Sequence, residues 1–192
     1  MFGERAIDAL LAAAEAIKRV LERIADGSGW LLIVLMSVTC FDVVCRKLGV
    51  PIPFTMFQEL EWHLHAAIFS LWMGFNYTIN AHPRVDSYSA ALEYRTRAWI
   101  ELVGCLVFAL PYTFVVVYYG WDFLKMSFMV GEHSEAAVGL PYRWIIKGVF
   151  WLGLWLLLAG IVSVLLRLVV FLFGKRTSEE ADLRIGPSVS EV

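Results

Sequence analysis

Hydrophobic and polar residues alternate in long blocks along this chain. Four apolar blocks fall at about residues 28–45, 62–83, 102–121 and 148–166; the first contains a single charge, Asp42, and the other three contain no Asp, Glu, Lys or Arg. A bilayer core accommodates ~20 apolar helical residues, and only a helix or a closed barrel satisfies its own backbone groups in lipid. The pattern therefore predicts an all-α integral membrane protein with four transmembrane helices, at about 28–48, 59–81, 98–121 and 144–173.

A different pattern precedes the first block. Apolar residues recur there at spacings of three and four, with charged residues between them: Ile7, Leu10, Ala14, Ile17, Leu21 and Ile24. This spacing predicts an amphipathic helix over about 4–26, which would either lie in the membrane interface or pair with a partner helix. Charges throughout its length leave no uninterrupted apolar core, so the segment is not expected to be a signal peptide.

The same pattern divides the chain into three parts. Asp26-Gly27-Ser28-Gly29 is expected to end the amphipathic helix, because two glycines raise the cost of continuing it. Residues 1–27 then form an N-terminal arm and residues 28–174 a four-helix membrane domain. Residues 175–192 are small and charged, and they are expected to form a disordered cytoplasmic tail.

Composition and charge agree with a membrane protein. The chain is 59% hydrophobic and only 18% charged, against about 25% charged residues in soluble domains. The formal net charge of −2 gives no indication of a nucleic-acid partner. Cys40, Cys45 and Cys105 lie within apolar blocks and are expected to be small core residues.

Lysine and arginine predict the orientation, because cytoplasmic loops carry an excess of these residues. If the N-terminus is cytoplasmic, eleven basic residues lie inside and five outside. The inner set is Arg5, Lys18, Arg19, Arg23, Arg84, Arg95, Arg97, Arg167, Lys175, Arg176 and Arg184; the outer set is Arg46, Lys47, Lys125, Arg143 and Lys147. Both termini are therefore predicted to be cytoplasmic in a bacterial inner membrane.

The four histidines raise an alternative, a haem b membrane anchor of a redox complex. Such a protein holds haem between helices with histidine ligands. His63 and His65 lie near the start of the second predicted span, His82 beyond its end and His133 in a connection. The other spans have no histidine, so the chain alone offers no ligands on two facing helices, and no haem or other cofactor is expected.

Ionisable residues near membrane spans are candidate functional groups. Asp42 and Arg46 are four residues apart and are expected to form a local pair, while Glu101 and Arg167 are expected to pair between the third and fourth spans. The alternative is that these side chains only anchor helix ends at the membrane interface. Because none lies at midplane, a stand-alone exporter, which would carry charge or broken helices there, is poorly supported.

Two segments at span ends are more specific than spacers. His82-Pro83-Arg84-Val85-Asp86 follows the second span. Ser134-Glu135, then Gly139-Leu140-Pro141-Tyr142-Arg143-Trp144 and Lys147 lead into the fourth. Pro141 suits a helix start and Trp144 suits the interface. No catalytic motif accompanies them, so no catalytic or metal-binding residue is expected.

These segments resemble the DctQ-like small membrane subunit of the TRAP (tripartite ATP-independent periplasmic) transporters, over about residues 29–167. The resemblance includes the acidic start of the second span, Gln58-Glu59-Leu60-Glu61-Trp62-His63, and Gly74 further along it. The resemblance implies a sodium-driven importer of a carboxylate-type solute. Its partners would be a large multi-helix permease subunit, a periplasmic solute-binding protein and membrane lipid, and this chain would be a fixed, non-enzymatic scaffold. The candidate partner-interface residues are Glu59, Glu61, His82, Arg84, Asp86, Pro141, Arg143, Trp144 and Lys147.

Overall fold

The structure is a computed structural model that describes residues 3–81, 92–174 and 176–185. All regular secondary structure in these residues is helical. The helices are α1 (Glu4–Gly29), α2 (Leu31–Leu48), α3 (Phe54–Thr78), α4 (Tyr94–Gly104), α5 (Leu110–Met129) and α6 (Trp144–Phe173), and a π-helical turn, Cys105–Ala109, joins α4 to α5.

Three helical stretches in the described residues are long and apolar enough to cross a membrane. They are Glu4–Leu48, which contains α1 and α2, Tyr94–Met129, which contains α4, the π-turn and α5, and Trp144–Phe173, which is α6. Helix α3 is 25 residues long but is not among them. Its first half carries Gln58, Glu59, Glu61, His63 and His65, which lower its hydropathy.

The predicted helix break at residues 26–29 coincides with the end of α1 at Gly29, but residues 26–28 stay helical. The buried Ser28 hydroxyl donates to the Ala25 carbonyl at 3.0 Å, and the Trp72 indole N–H donates to that carbonyl and to Ser28 Oγ, both at 3.0 Å. A glycine inside a helix costs only about 1 kcal/mol, which these tertiary contacts offset. Trp30, between α1 and α2, also keeps right-handed helical angles.

The third predicted span contains an irregularity that periodicity did not reveal. The π-helical turn Cys105–Ala109 ends two residues before Pro111, and the Leu110 N–H donates to the Cys105 carbonyl. Proline has no N–H and its ring crowds the preceding turn of an α-helix. A π-turn is one way in which a helix accommodates such a residue without ending.

The described chain forms two compact units. The first comprises the described residues of Met1–Glu22, Gly74–Val115 and Leu156–Val192. Its core includes Ala14, Ala98, Leu168 and Ala181, which have no exposed surface. The apolar face of α1 is part of this packing, since Ile7, Ala14 and Leu21 are buried and the Ser163 hydroxyl of α6 donates to the Ala14 carbonyl at 3.0 Å. The N-terminal arm therefore packs against α6 of the same chain.

Close helix packing in the first unit depends on two glycines. A Cβ added to Gly74 of α3 would overlap the Leu156 carbonyl of α6, and one added to Gly160 would lie 2.5 Å from the Gly74 carbonyl oxygen. Small residues let two backbones approach in membrane proteins. Gly74 is therefore required by the α3–α6 contact.

The second unit comprises Arg23–Met73 and Val116–Trp155. Phe41 and Phe57 join α2 to α3, with ring centroids 5.4 Å apart, and Trp121 and Trp151 join α5 to α6 at 5.2 Å. The Trp151 indole N–H also donates to the Val117 carbonyl at 3.0 Å. These contacts position the loop between α5 and α6, residues 130–143, beside the start of α3.

Candidate functional site

The carboxylate of Glu59, in the second turn of α3, is the centre of a polar cluster in the second unit. It accepts hydrogen bonds from the Ser134 hydroxyl and, at 2.6 Å, from the Leu140 backbone N–H. The Arg143 guanidinium lies 3.2 Å from it as an ion-pair partner. The Glu59 side chain is only 15% exposed, so three donors stabilise a carboxylate that is largely removed from solvent.

A second carboxylate, that of Glu132, lies near the beginning of the same loop, shortly after the end of α5. Lys147, in the first turns of α6, forms an ion pair with it and lies 3.9 Å from the centroid of the Phe123 ring. The hydrogen bond from Lys147 lowers the pKa of Glu132 below its ordinary value. We call Glu59, Glu132, Ser134, Arg143 and Lys147 together the loop cluster.

Backbone hydrogen bonds within the α5–α6 loop explain why these side chains converge. The Arg143 N–H donates to the Glu132 carbonyl at 3.0 Å, and the Ser134 N–H donates to the Leu140 carbonyl at 3.1 Å. The two ends of the loop, residues 132–134 and 140–143, therefore run side by side. The side chains of Glu132, Ser134 and Arg143 take part in the cluster, whereas His133, Glu135 and Tyr142 are exposed.

Chemically, the loop cluster is suited to holding a loop in place. Each of its charged groups has an opposite partner inside the chain. Among the described residues, no group of three or more His, Cys, Asp or Glu side chains could hold a metal ion. The cluster joins the start of α3 to the start of α6 through residues that are 75 or more positions apart.

A second polar cluster, in the first unit, is built on Arg167 of α6. Its guanidinium is almost fully buried and pairs with Glu15 of α1 at 2.8 Å and with Asp182 at 2.9 Å. Lys18 binds Asp182 as well, at 2.6 Å. We call Glu15, Lys18, Arg167 and Asp182 the tail clamp.

The tail clamp includes part of the segment after residue 174 that the sequence predicts to be disordered, of which the structure describes residues 176–185. Ala181, Leu183 and Ile185 are buried, and the Tyr94 hydroxyl donates to the Leu183 carbonyl at 2.5 Å. Buried apolar side chains and an ion pair to a buried arginine supply the contacts that the segment's composition did not indicate. Residue 175 and residues 186–192 lie outside the described residues.

The remaining predicted site residues differ in what the structure shows of them. Asp42 and Arg46 form the local pair, with Arg46 Nε 2.7 Å from Asp42 Oδ2 and its guanidinium over the Phe54 ring. Arg167, expected beside Glu101, is paired with Glu15 and Asp182. His82, Arg84 and Asp86 lie outside the described residues.

Among the remaining candidates at helix starts, Pro141 is exposed and Trp144 is half-buried, with its ring 5.2 Å from that of Phe128. Glu61 has one buried carboxylate oxygen without a hydrogen-bond partner. His63 lies against the Glu59 carbonyl, while His65 and His133 are exposed. The three described histidines thus occupy one helix and one loop.

The sequence did not point to Glu132 or to the acidic partners of Arg167, and it marked Ser134 only as part of the segment that leads into α6. Lys18 and Asp182 are 164 positions apart and Glu59 and Arg143 are 84 apart. Periodicity relates residues only within one helix. A usable signal was the density of polar residues in the α5–α6 loop beside an acidic helix start.

Comparison with known proteins gives one match. A protein-family model described as "Tripartite ATP-independent periplasmic transporters, DctQ component" matches residues 34–173. Neither a curated protein nor a solved structure matches the chain. The matched range contains α3, α5 and α6 and every member of the loop cluster.

Proposed function

Since this chain belongs to the family of DctQ components of tripartite ATP-independent periplasmic transporters, we propose that it is the fixed scaffold of a sodium-coupled importer. In this proposal a large permease subunit carries a carboxylate-type solute across the membrane, and a periplasmic binding protein delivers it. The small subunit carries out no chemistry and moves no solute itself. It holds the permease in place and presents outer surface to the binding protein.

The loop cluster is the observation that supports a scaffold most directly. A transport site needs polar groups that are open to solute or ion, whereas the charges of Glu59, Glu132, Arg143 and Lys147 are directed to one another. The same holds for Arg167 and Asp182 in the tail clamp. Internal pairing of this kind fixes loops and termini, which is the property that a bracing subunit requires.

We further propose that α3 crosses the membrane as a fourth span. At a rise of 1.5 Å per residue, its 25 residues are about 37 Å long, which exceeds the ~30 Å hydrocarbon core. Its polar residues lie mainly in its first half, where they would reach the interface. With both termini cytoplasmic, the α5–α6 loop is periplasmic and the segment containing His82, Arg84 and Asp86 is cytoplasmic. We propose that segment as an assembly contact with the permease.

Reconstitution of the complete system tests this function. Proteoliposomes containing the permease and this subunit, supplied with loaded binding protein, should take up solute when an inward sodium gradient is imposed. Vesicles that contain this subunit alone should show no uptake and no haem absorbance. Uptake by this subunit alone, or full uptake by the permease without it, would contradict the scaffold role.

A further inference from the structure

The N-terminal arm and the tail both lie outside residues 34–173, the range that the family model matches, yet both bind Arg167 within it. The Arg167 side chain is only 5% exposed. Its Nη2 is 2.8 Å from the Glu15 carboxylate of α1, and its Nη1 is 2.9 Å from the Asp182 carboxylate. Nη1 also donates to the Ala181 carbonyl at 3.0 Å. A single buried cation therefore holds both the arm and the tail.

The part of the tail that carries Asp182 is a single helical turn with its own start signal. The Thr177 N–H donates to the Glu180 carboxylate at 3.0 Å, and the Glu180 N–H donates to the Thr177 hydroxyl oxygen at 3.2 Å. This reciprocal pair is a capping box. The Ala181 N–H then donates to the Thr177 carbonyl at 3.1 Å and completes the turn. These hydrogen bonds are internal to the tail, so they shape the turn without help from Arg167.

Asp182 occupies the position that ends this turn. Its N–H donates to the Glu179 carbonyl at 3.0 Å, and its φ of +44° lies in the left-handed region. Glycine is the usual residue at such a helix end, whereas aspartate is one of the few other residues that tolerate the conformation. Aspartate adds a carboxylate that glycine lacks, and this carboxylate binds Lys18 of the arm at 2.6 Å as well as Arg167.

The charges of the tail clamp make docking of the arm and docking of the tail depend on each other. Glu15 and Asp182 balance the positive charges of Lys18 and Arg167. Without Asp182, only Glu15 would balance two cations that are both largely buried, and like charges in such a place disfavour each other. Lys18 belongs to the arm, so the arm is then held less tightly. Coupling between two docking events is reciprocal, so loss of Glu15 must also weaken docking of the tail.

We propose that residues 176–185 are a strap that locks the N-terminal arm against α6, and that the strap and the arm are released together while the membrane helices stay folded. Chain ends open more readily than a helical core, and both ends of this chain meet at one guanidinium. Any event that removes the strap from Arg167 therefore loosens the arm. The tail clamp is in this way a conformational link between the two ends of the chain, which goes beyond a fixed scaffold.

Hydrogen–deuterium exchange of the full-length protein in detergent, measured peptide by peptide, tests this coupling. Asp182→Asn removes the charge and keeps a residue that tolerates positive φ. Peptides covering residues 4–22 of α1 should exchange about tenfold faster in this variant, because largely buried charged groups of the clamp lose a partner. Exchange in α6 should change much less. Glu15→Gln should show the reciprocal effect, with faster exchange in residues 177–183.

Asp8→Asn is the matched control, because it removes a different ion pair between the arm and the tail. Asp8 lies 3.1 Å from Arg176 and is 64% exposed, and exposed ion pairs contribute little to stability. Exchange in this variant should match wild type in both segments. A chain that ends at Gly174 lacks the strap altogether, and its arm should exchange at least as fast as in Asp182→Asn.

Three results would overturn the proposal. One is faster exchange of the tail alone in Asp182→Asn, since the arm and the tail would then dock independently. Another is equal acceleration of the arm, the tail and α6, since the clamp would then open only when the whole fold unfolds. The third is wild-type exchange of the arm in the chain that ends at Gly174.

Discussion

Single carboxylates join segments that are far apart in this chain. Asp182 meets Lys18, Arg167 and Arg184, the last at 3.5 Å. Burial raises the pKa of this carboxyl, but the hydrogen bond from Lys18 and the charges of Lys18, Arg167 and Arg184 outweigh it. The pKa is consequently below its ordinary value of 3.8. Ionised Asp182 therefore stabilises the folded tail.

The pH dependence of thermal stability tests this role. Because the folded-state pKa is lowered, the stabilisation is fully present above pH 3.8 and is lost as pH falls through the lowered value. Asp182→Asn should therefore lower the Tm of the detergent-solubilised protein at neutral pH, and the difference from wild type should shrink below pH 3.8. The exposed Glu179 provides the control, since Glu179→Gln should match wild type. A difference for Asp182→Asn that does not change with pH would refute the electrostatic explanation.

Ion pairs within one helix could be predicted from the sequence, whereas ion pairs between distant segments could not. The Asp42–Arg46 pair follows from an i, i+4 spacing on one helix, and the structure contains it. The Glu59–Arg143 and Lys18–Asp182 pairs could not be predicted, because their partners meet only after the helices pack. For Arg167, the sequence suggested a pair with Glu101 between the third and fourth spans, whereas Glu15 and Asp182 are the carboxylates that bind it in the structure.

At the scale of helices, periodicity predicted most of the secondary structure. Helix α6 begins at Trp144 and ends at Phe173, as the apolar block indicates, and α1 has the expected apolar face. Two local features have physical causes outside the helices' own periodicity. Residues 26–28 stay helical and α1 ends only at Gly29, because Ser28 and Trp72 hold that turn. The described part of the tail is fixed by contacts with distant residues.

The α3–α6 contact gives the sharpest prediction at this scale. Gly74→Ala should destabilise the protein by about 1–3 kcal/mol, because the new methyl group overlaps the Leu156 backbone carbonyl. Gly27→Ala is the matched control. Gly27 also lies in a helix but has no neighbouring atom within 4 Å of an added Cβ, so alanine should raise stability by about 0.5–1 kcal/mol. Thermal unfolding in detergent measures both, and a Gly74→Ala protein as stable as wild type would rule out close packing there.

For the whole molecule, membrane orientation determines which partner each loop can reach. The distribution of lysine and arginine predicts cytoplasmic termini and a periplasmic α5–α6 loop. Alkaline phosphatase fused after Arg176 should be inactive and fused near Gly131 should be active, because the enzyme folds only in the periplasm. The opposite pattern would place the loop cluster out of reach of a periplasmic protein.

Glu59→Gln tests most directly the proposal that internal pairing of charges makes this chain a scaffold for a permease subunit. Removing one partner of a largely buried ion pair costs about 1–3 kcal/mol, and 1.4 kcal/mol corresponds to a factor of ten in an equilibrium constant. Glu135→Gln is the control, because it changes an exposed carboxylate of the same loop. We predict that Glu59→Gln reduces both permease co-purification and sodium-driven uptake about tenfold, while Glu135→Gln leaves permease co-purification at the wild-type level. Wild-type assembly and uptake in Glu59→Gln would contradict the scaffold role.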